Sequence, residues 1–122
     1  MPLFTKRWDD PVAPNDGFRL LITRYRPRGL PKSEETWNAW NPNFGPSKEL
    51  HAGAYGKSGL QISWDIYRAA YLREMKSQAA AIAELAIRVK SGETITLLCS
   101  SQCTRESRCH RLLLRELIEK QI

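Results

Sequence analysis

The chain has 122 residues, 42% hydrophobic and 26% charged, with 19 Lys+Arg against 13 Asp+Glu and a net charge of +6. These values fit one soluble globular domain, spanning residues 1–122, able to bury its own core. No stretch approaches the ~20 apolar residues needed to cross a bilayer, and the first residues, MPLFTKRWDDP, lack the apolar run of a secretory signal.

The segment from Leu3 to Trp8 reads as a short strand, closed by the turn residues Asp9, Asp10, Pro11 and Pro14 to Gly17. Phe18 to Arg24 (FRLLITR) is an apolar run short enough for a buried strand. It leads into YRPRGLPKS, where Pro27 and Pro31 forbid regular structure and Gly29 permits a tight turn. Ser33 is placed to cap a short helix through Trp40, with Glu34 and Glu35 suiting its first turn. Asn41 to Gly59 is rich in Gly and Pro and reads as a long loop, in which Ser47 caps a short helical turn over Lys48 to Ala54.

From Ile62 to about Lys90 the pattern is helical. Trp64, Tyr67, Tyr71, Met75, Ile82, Leu85 and Val89 form one stripe, with a break expected near Ser77-Gln78. Gly92 takes the left-handed position after the helix. Thr94 to Cys99 is the clearest strand, β-branched and apolar. A final helix is predicted from about Glu106 to Lys120, with Leu113, Leu114, Leu117 and Ile118 on its core face. Strands alternating with helices predict an α/β domain with a small, mostly parallel sheet flanked by helices. Ligands of such sheets bind beyond the carboxyl ends of the strands. Two strand ends here run into basic loops, Arg24 to Gly29 and Cys99 to His110, and share one rim if their strands are parallel neighbours.

All three cysteines, Cys99, Cys103 and Cys109, lie close together. An odd, clustered set does not make a disulfide framework and points to a reducing, cytoplasmic compartment. The positive excess is local. Arg24, Arg26, Arg28 and Lys32 occur without an acid between them, and Arg105, Arg108, Arg111 and Arg115 have only Glu106 among them. Two such patches point to an anionic partner, a small phosphate-bearing molecule or nucleic acid. The plain alternative is charge that serves solubility.

Strand, loop and helix start together make an anion cradle, because the first helical N–H groups lack partners and arginine binds oxyanions bidentately. Ser107 or Thr104 is placed to cap the last helix, which would put Cys109 and His110 in its first turn. There Cys109, flanked by Arg108 and Arg111, has the setting of an activated thiol, although adjacent helical residues point about 100° apart and His110 need not reach it. Cys99 at a strand end is a second candidate, or a small core residue. A zinc site at Cys99, Cys103, Cys109 and His110 has the right atoms but the wrong spacing, with no CxxC pair, so no metal is expected. His51 and Tyr55 are the candidates in the irregular loop. Trp64, Tyr67 and Tyr71 read as core rather than as a stacking platform.

The segments Arg24 to Gly29 (RYRPRG), Pro46 to Leu50 (PSKEL), Trp64 to Tyr71 (WDIYRAAY), Leu97 to Cys99 (LLC) and Cys109 to Arg111 (CHR) appear in this order over nearly the whole chain. In this the chain resembles the YeaO-like family, domain of unknown function 488. The resemblance implies a compact α/β domain and no settled activity or cofactor. It places Arg24, Arg28, Cys99, Cys109, His110 and Arg111 at the site. Family members usually carry an acid shortly after the first cysteine, where this chain has Ser100 and Ser101.

The residues therefore predict a cleft for an anionic ligand, with Cys109, His110 or Cys99 as reactive groups if the protein is an enzyme. Arg24, Arg26, Arg28, Arg108, Arg111, His51 and Tyr55 would be the binding groups. A nucleic-acid-binding module is one alternative, although no DNA-binding motif is present. An interaction protein with no small ligand is the other.

Overall fold

The computed structural model describes residues 2–54, 56, 61–100 and 108–122. Four strands, β1 (Leu3–Arg7), β2 (Phe18–Leu21), β3 (Ala39–Trp40) and β4 (Ile95–Cys99), form one sheet in the order β1-β4-β2-β3. All three pairings are parallel. The helices are α1 (Lys48–Ala54), α2 (Trp64–Glu74), α3 (Ala79–Lys90) and α4 (His110–Glu119). The α/β expectation with a small parallel sheet holds.

Period-two alternation sorts the strand residues onto two faces. Leu3, Leu20, Ile22, Ile95 and Leu97 join the main core cluster with Tyr71, Met75, Ile82, Leu85, Val89, Leu113 and Ile118 from the helices. The intervening Arg19, Leu21, Thr96 and Leu98 are also buried, on the opposite face. Loops cover that face. Thr96 Oγ1 donates to the Asp16 carbonyl at 2.7 Å, and Arg19 Nε donates to the Thr36 carbonyl at 2.6 Å. The Asp16 carboxylate takes the Arg19 guanidinium on one oxygen and Lys6 Nζ, at 2.7 Å, on the other. Burial raises the Asp16 pKa, but the Ala13 N–H and the Lys6 and Arg19 charges outweigh it and hold the carboxyl below its usual value.

The long helical stretch breaks where expected, in a 3-10 turn over Met75–Gln78. Ser63 caps α2, Ser47 Oγ accepts from Leu50 N to cap α1, and Gly92 has a φ of +106°. The expected helix from Ser33 to Trp40 is not there. A 3-10 turn spans Lys32–Glu34, and Ala39–Trp40 is instead the edge strand β3. Asn38 explains the change: its N–H donates to the Arg19 carbonyl, and its Oδ1 accepts from the Arg19 N–H. Pairing to β2 overrides a weak local helix preference.

The last helix also starts later than expected. Cys109 has extended backbone (φ −126°, ψ 144°) at the cap position, so α4 begins at His110 and Cys109 is not in its first turn; Glu106, the expected start, lies outside the described residues. Both expected caps, Ser107 and Thr104, lie outside the described residues.

Candidate functional site

Strand β2 pairs with β4 from Phe18↔Ile95 to Leu21↔Leu98, and Ile22 N continues the ladder to the Leu98 carbonyl at 3.0 Å. Their carboxyl ends therefore emerge side by side. The chain after β2 turns through Thr23, whose hydroxyl donates to the Tyr25 carbonyl at 2.7 Å. A cleft of about 780 Å³ opens there, lined on one side by Thr23 to Arg28 and on the others by Trp8, Pro46, Lys48, His51, Ala52, Ala54, Tyr67, Ser100 and His110. Among these lining residues are four Arg or Lys and no carboxylate.

The three arginines of the turn play different parts. Arg24 is braced: its Nε donates to the Pro46 carbonyl at 2.8 Å. Gly45 permits this, because a Cβ there would sit 2.3 Å from Arg24 N. Arg26 is a strut. It pairs with Glu35 at 2.8 Å, donates to the Leu30 carbonyl at 2.8 Å, and lies 5.8 Å from the Trp37 ring centroid. Arg28 is exposed and, like Lys48, makes no hydrogen bond or ion pair among the described residues. The fixed arms thus present two uncommitted cations.

His110 forms part of the opposite wall. One ring nitrogen, Nε2, lies 2.8 Å from the Ile22 carbonyl. A carbonyl only accepts, so Nε2 carries the proton and Nδ1 is the basic nitrogen. Nδ1 is 4.0 Å from Cys109 Sγ. The 100° separation of helical neighbours does not apply here, since Cys109 precedes the helix with extended backbone. Tyr71 packs behind, its ring 5.6 Å from His110 and its hydroxyl donating to the Phe44 carbonyl at 2.7 Å. Burial above all, then the nearby Tyr67, Cys109 and Glu74, pushes the Tyr71 pKa well above its usual value, so it stays a neutral donor.

Of the sequence-predicted residues, Arg24, Arg26, Arg28, His51 and His110 meet at this cleft. His51 stands edge-on to Tyr25, with ring centroids 5.1 Å apart. Cys109 is buried beside His110, and Cys99 is fully buried at the end of the central strand. Neither cysteine lines the cleft, and neither do Arg108 or Arg111. Tyr55 and Cys103 fall outside the described residues. Among the described residues no three His, Cys, Asp or Glu side chains are grouped to hold a metal ion. The aromatic stripe is core as expected: Trp64, Tyr67 and Tyr71 stack in series, with Tyr67 reaching the cleft. Lys48 and Trp8 were not singled out by sequence, and only the tertiary fold brings them to the cleft; Tyr25 and Ser100 lie within the two loops that the sequence placed at the rim but were not named as binding groups.

The family model described as "Active DUF488-N3 subclade" matches residues 3–122. The chain is similar to the uncharacterized protein YeaO of Escherichia coli (strain K12), 30% identical over 116 residues, which cover 95% of this chain and 96% of that protein. No solved structure matches. No helix among the described residues is long and apolar enough to cross a membrane.

Proposed function

The chain belongs to the YeaO-like DUF488 family, and from that premise we propose that its cleft binds a small phosphate-bearing, nucleotide-like anion. One observation carries the reading: among the described residues, four cationic side chains and no carboxylate line the space beyond the adjacent ends of β2 and β4. A one-sign lining in a concave site concentrates ligands of opposite charge. Arg28 and Lys48 supply the charge, Arg24 and Arg26 hold the loop in place, and the half-exposed Tyr25 offers an aromatic face to a base or ring.

If the ligand reacts, His110 is the group positioned to meet it. Nδ1 takes or gives the proton, the Ile22 carbonyl fixes the ring, and Cys109 lies behind as a thiol partner rather than at the surface.

The test is a thermal-shift panel with phosphate, mononucleotides, sugar phosphates and short oligonucleotides, on the wild type and on Arg28→Ala/Lys48→Ala. A ligand that binds only the folded state raises the melting temperature. The reading expects one small phosphorylated ligand to shift the wild type by more than inorganic phosphate does, with that excess lost in the double variant. A response to oligonucleotides alone, falling steeply with salt, would replace it with nucleic-acid binding. A flat panel favours an interaction protein.

A further inference from the structure

Arg111 is the second residue of α4 and is only 6% exposed. Its Nε is sealed from solvent and has no hydrogen-bond partner among the described residues. The side chain makes no hydrogen bond or ion pair among the described residues. A guanidinium stays charged at any pH a protein meets. Leaving a buried charge unpaired is strongly unfavourable, so buried charges are found paired.

Arg19 shows how this chain answers that demand elsewhere. It is 4% exposed, and although its Nη2 has no partner among the described residues, the Asp16 carboxylate takes its Nη1 and the Thr36 carbonyl its Nε, so its charge is paired. Around Arg111 the described residues provide no such partner. The first turn of α4 contains no acid, and its cap residue Cys109 makes no side-chain cap hydrogen bond. Its neighbour one turn on, Arg115, adds a second positive charge; its Nε makes no hydrogen bond among the described residues either, but it is ion-paired with Glu119 at 3.4 Å. The unpaired Nε, with an adjacent terminal nitrogen, is the edge of the guanidinium that holds an oxyanion through two parallel hydrogen bonds.

We propose that Arg111 anchors a bound oxyanion, phosphate or a phosphate monoester, inside the molecule at the start of α4. The site is separate from the cleft, whose lining does not include Arg111. It stands whether or not the cleft reading does.

The experiment starts from Arg28→Ala/Lys48→Ala, which lacks the two uncommitted cations of the cleft. This protein is titrated with inorganic phosphate in a buffer free of other oxyanions, at constant ionic strength. A ten-fold excess over Kd raises the melting temperature by roughly 5 °C. Adding Arg111→Met abolishes the rise, and in oxyanion-free buffer leaves the melting temperature unchanged or higher, since an apolar side chain of similar length removes an unpaired charge. Arg111→Lys, which keeps the charge but loses the fork, weakens phosphate binding at least ten-fold as read by phosphorus NMR, and covers the case in which the methionine variant does not fold. Methyl phosphate and acetate in parallel titrations separate an ester from a free phosphate and from a carboxylate. A phosphate shift that survives Arg111→Met overturns the proposal. So does the absence of any shift in the cleft-deleted protein, or a melting temperature several degrees lower for Arg111→Met in oxyanion-free buffer, which would mean that the chain itself neutralises the guanidinium.

Discussion

On the loop-covered face of the sheet, Asp16 is matched by Arg19 and Lys6; Arg28 and Lys48 at the carboxyl rim, and Arg111 at the start of α4, have no such match among the described residues. Both regions are built from the same few residue types. In the first each ion meets its opposite and a backbone group, with only Arg19 Nη2 left without a partner among the described residues, and the network ties loops onto the β-strands. The second leaves positive charge uncompensated, on a braced loop and at a helix start. What separates the two regions is therefore the pairing of their charges rather than their number.

The sharpest way to break that comparison is to open the closed side. Asp16→Asn leaves Arg19 buried without its counter-ion and is expected to destabilise the fold by about 2–3 kcal/mol. At this chain length that is a fall in melting temperature of roughly 8–12 °C, with ligand response at the rim retained. If calorimetry finds less than a couple of degrees, the network is not what holds the loops down.

Next in size is Gly45→Ala. The added methyl would meet the Arg24 backbone at 2.3 Å, so the segment must shift. A loss of about 1–3 kcal/mol is expected, together with weaker anion response, because the Arg24 brace is disturbed. Retention of both wild-type stability and ligand shift would show that the close approach is not needed.

Acid sharpens the contrast further. Asp16 has a folded pKa below its unfolded value, so its stabilising contribution is present above the unfolded value, about 3.9, and is lost as pH falls through the lowered folded value. The wild type should lose this stability below about pH 4, and Asp16→Asn should show a correspondingly flatter acid limb in denaturant titrations. Parallel limbs would contradict the assignment.

The smallest effects belong to the open side. Arg26→Ala, which removes the Glu35 pair at a partly exposed site, is expected to cost about 0.5–1 kcal/mol. Arg28→Ala should stay within about 0.5 kcal/mol of the wild type, since it breaks no hydrogen bond or ion pair among the described residues. Equal losses in urea melts would erase the distinction between strut and free cation.

Much of the fold was legible because its signals are local. The stripe from Trp64 to Val89, the break at Ser77-Gln78, the Ser47 cap and the apolar run at Thr94 to Cys99 each declare themselves within a few residues. Ala39–Trp40 did not, because a two-residue edge strand exists only through its ladder to Leu20 and Leu21. At the site, the arginine loop and His110 could be read from charge and from strand-end position. Lys48 could not: a lone lysine on a short helix is ordinary until the fold brings it to the same cleft as Arg28. Arg26 looked equivalent to Arg28, and nothing in the local pattern revealed that Glu35, nine residues on, would claim it. The approach of Cys109 to His110 depended on one backbone conformation, that of a cap residue.

The strand order has a consequence for when this protein can fold. Neither β1 nor β2 hydrogen-bonds to the other; both depend on β4, which lies between them and comes late in the sequence. A chain synthesised from its N-terminus therefore carries β1 for some ninety residues with no partner for its edge, and the sheet closes only when Ile95–Cys99 slides into the gap. Nascent chains stalled before Ile95 should be captured by chaperones or proteases, and those released a few dozen residues later should not. In biogenesis, the strand that carries Cys99 is the keystone.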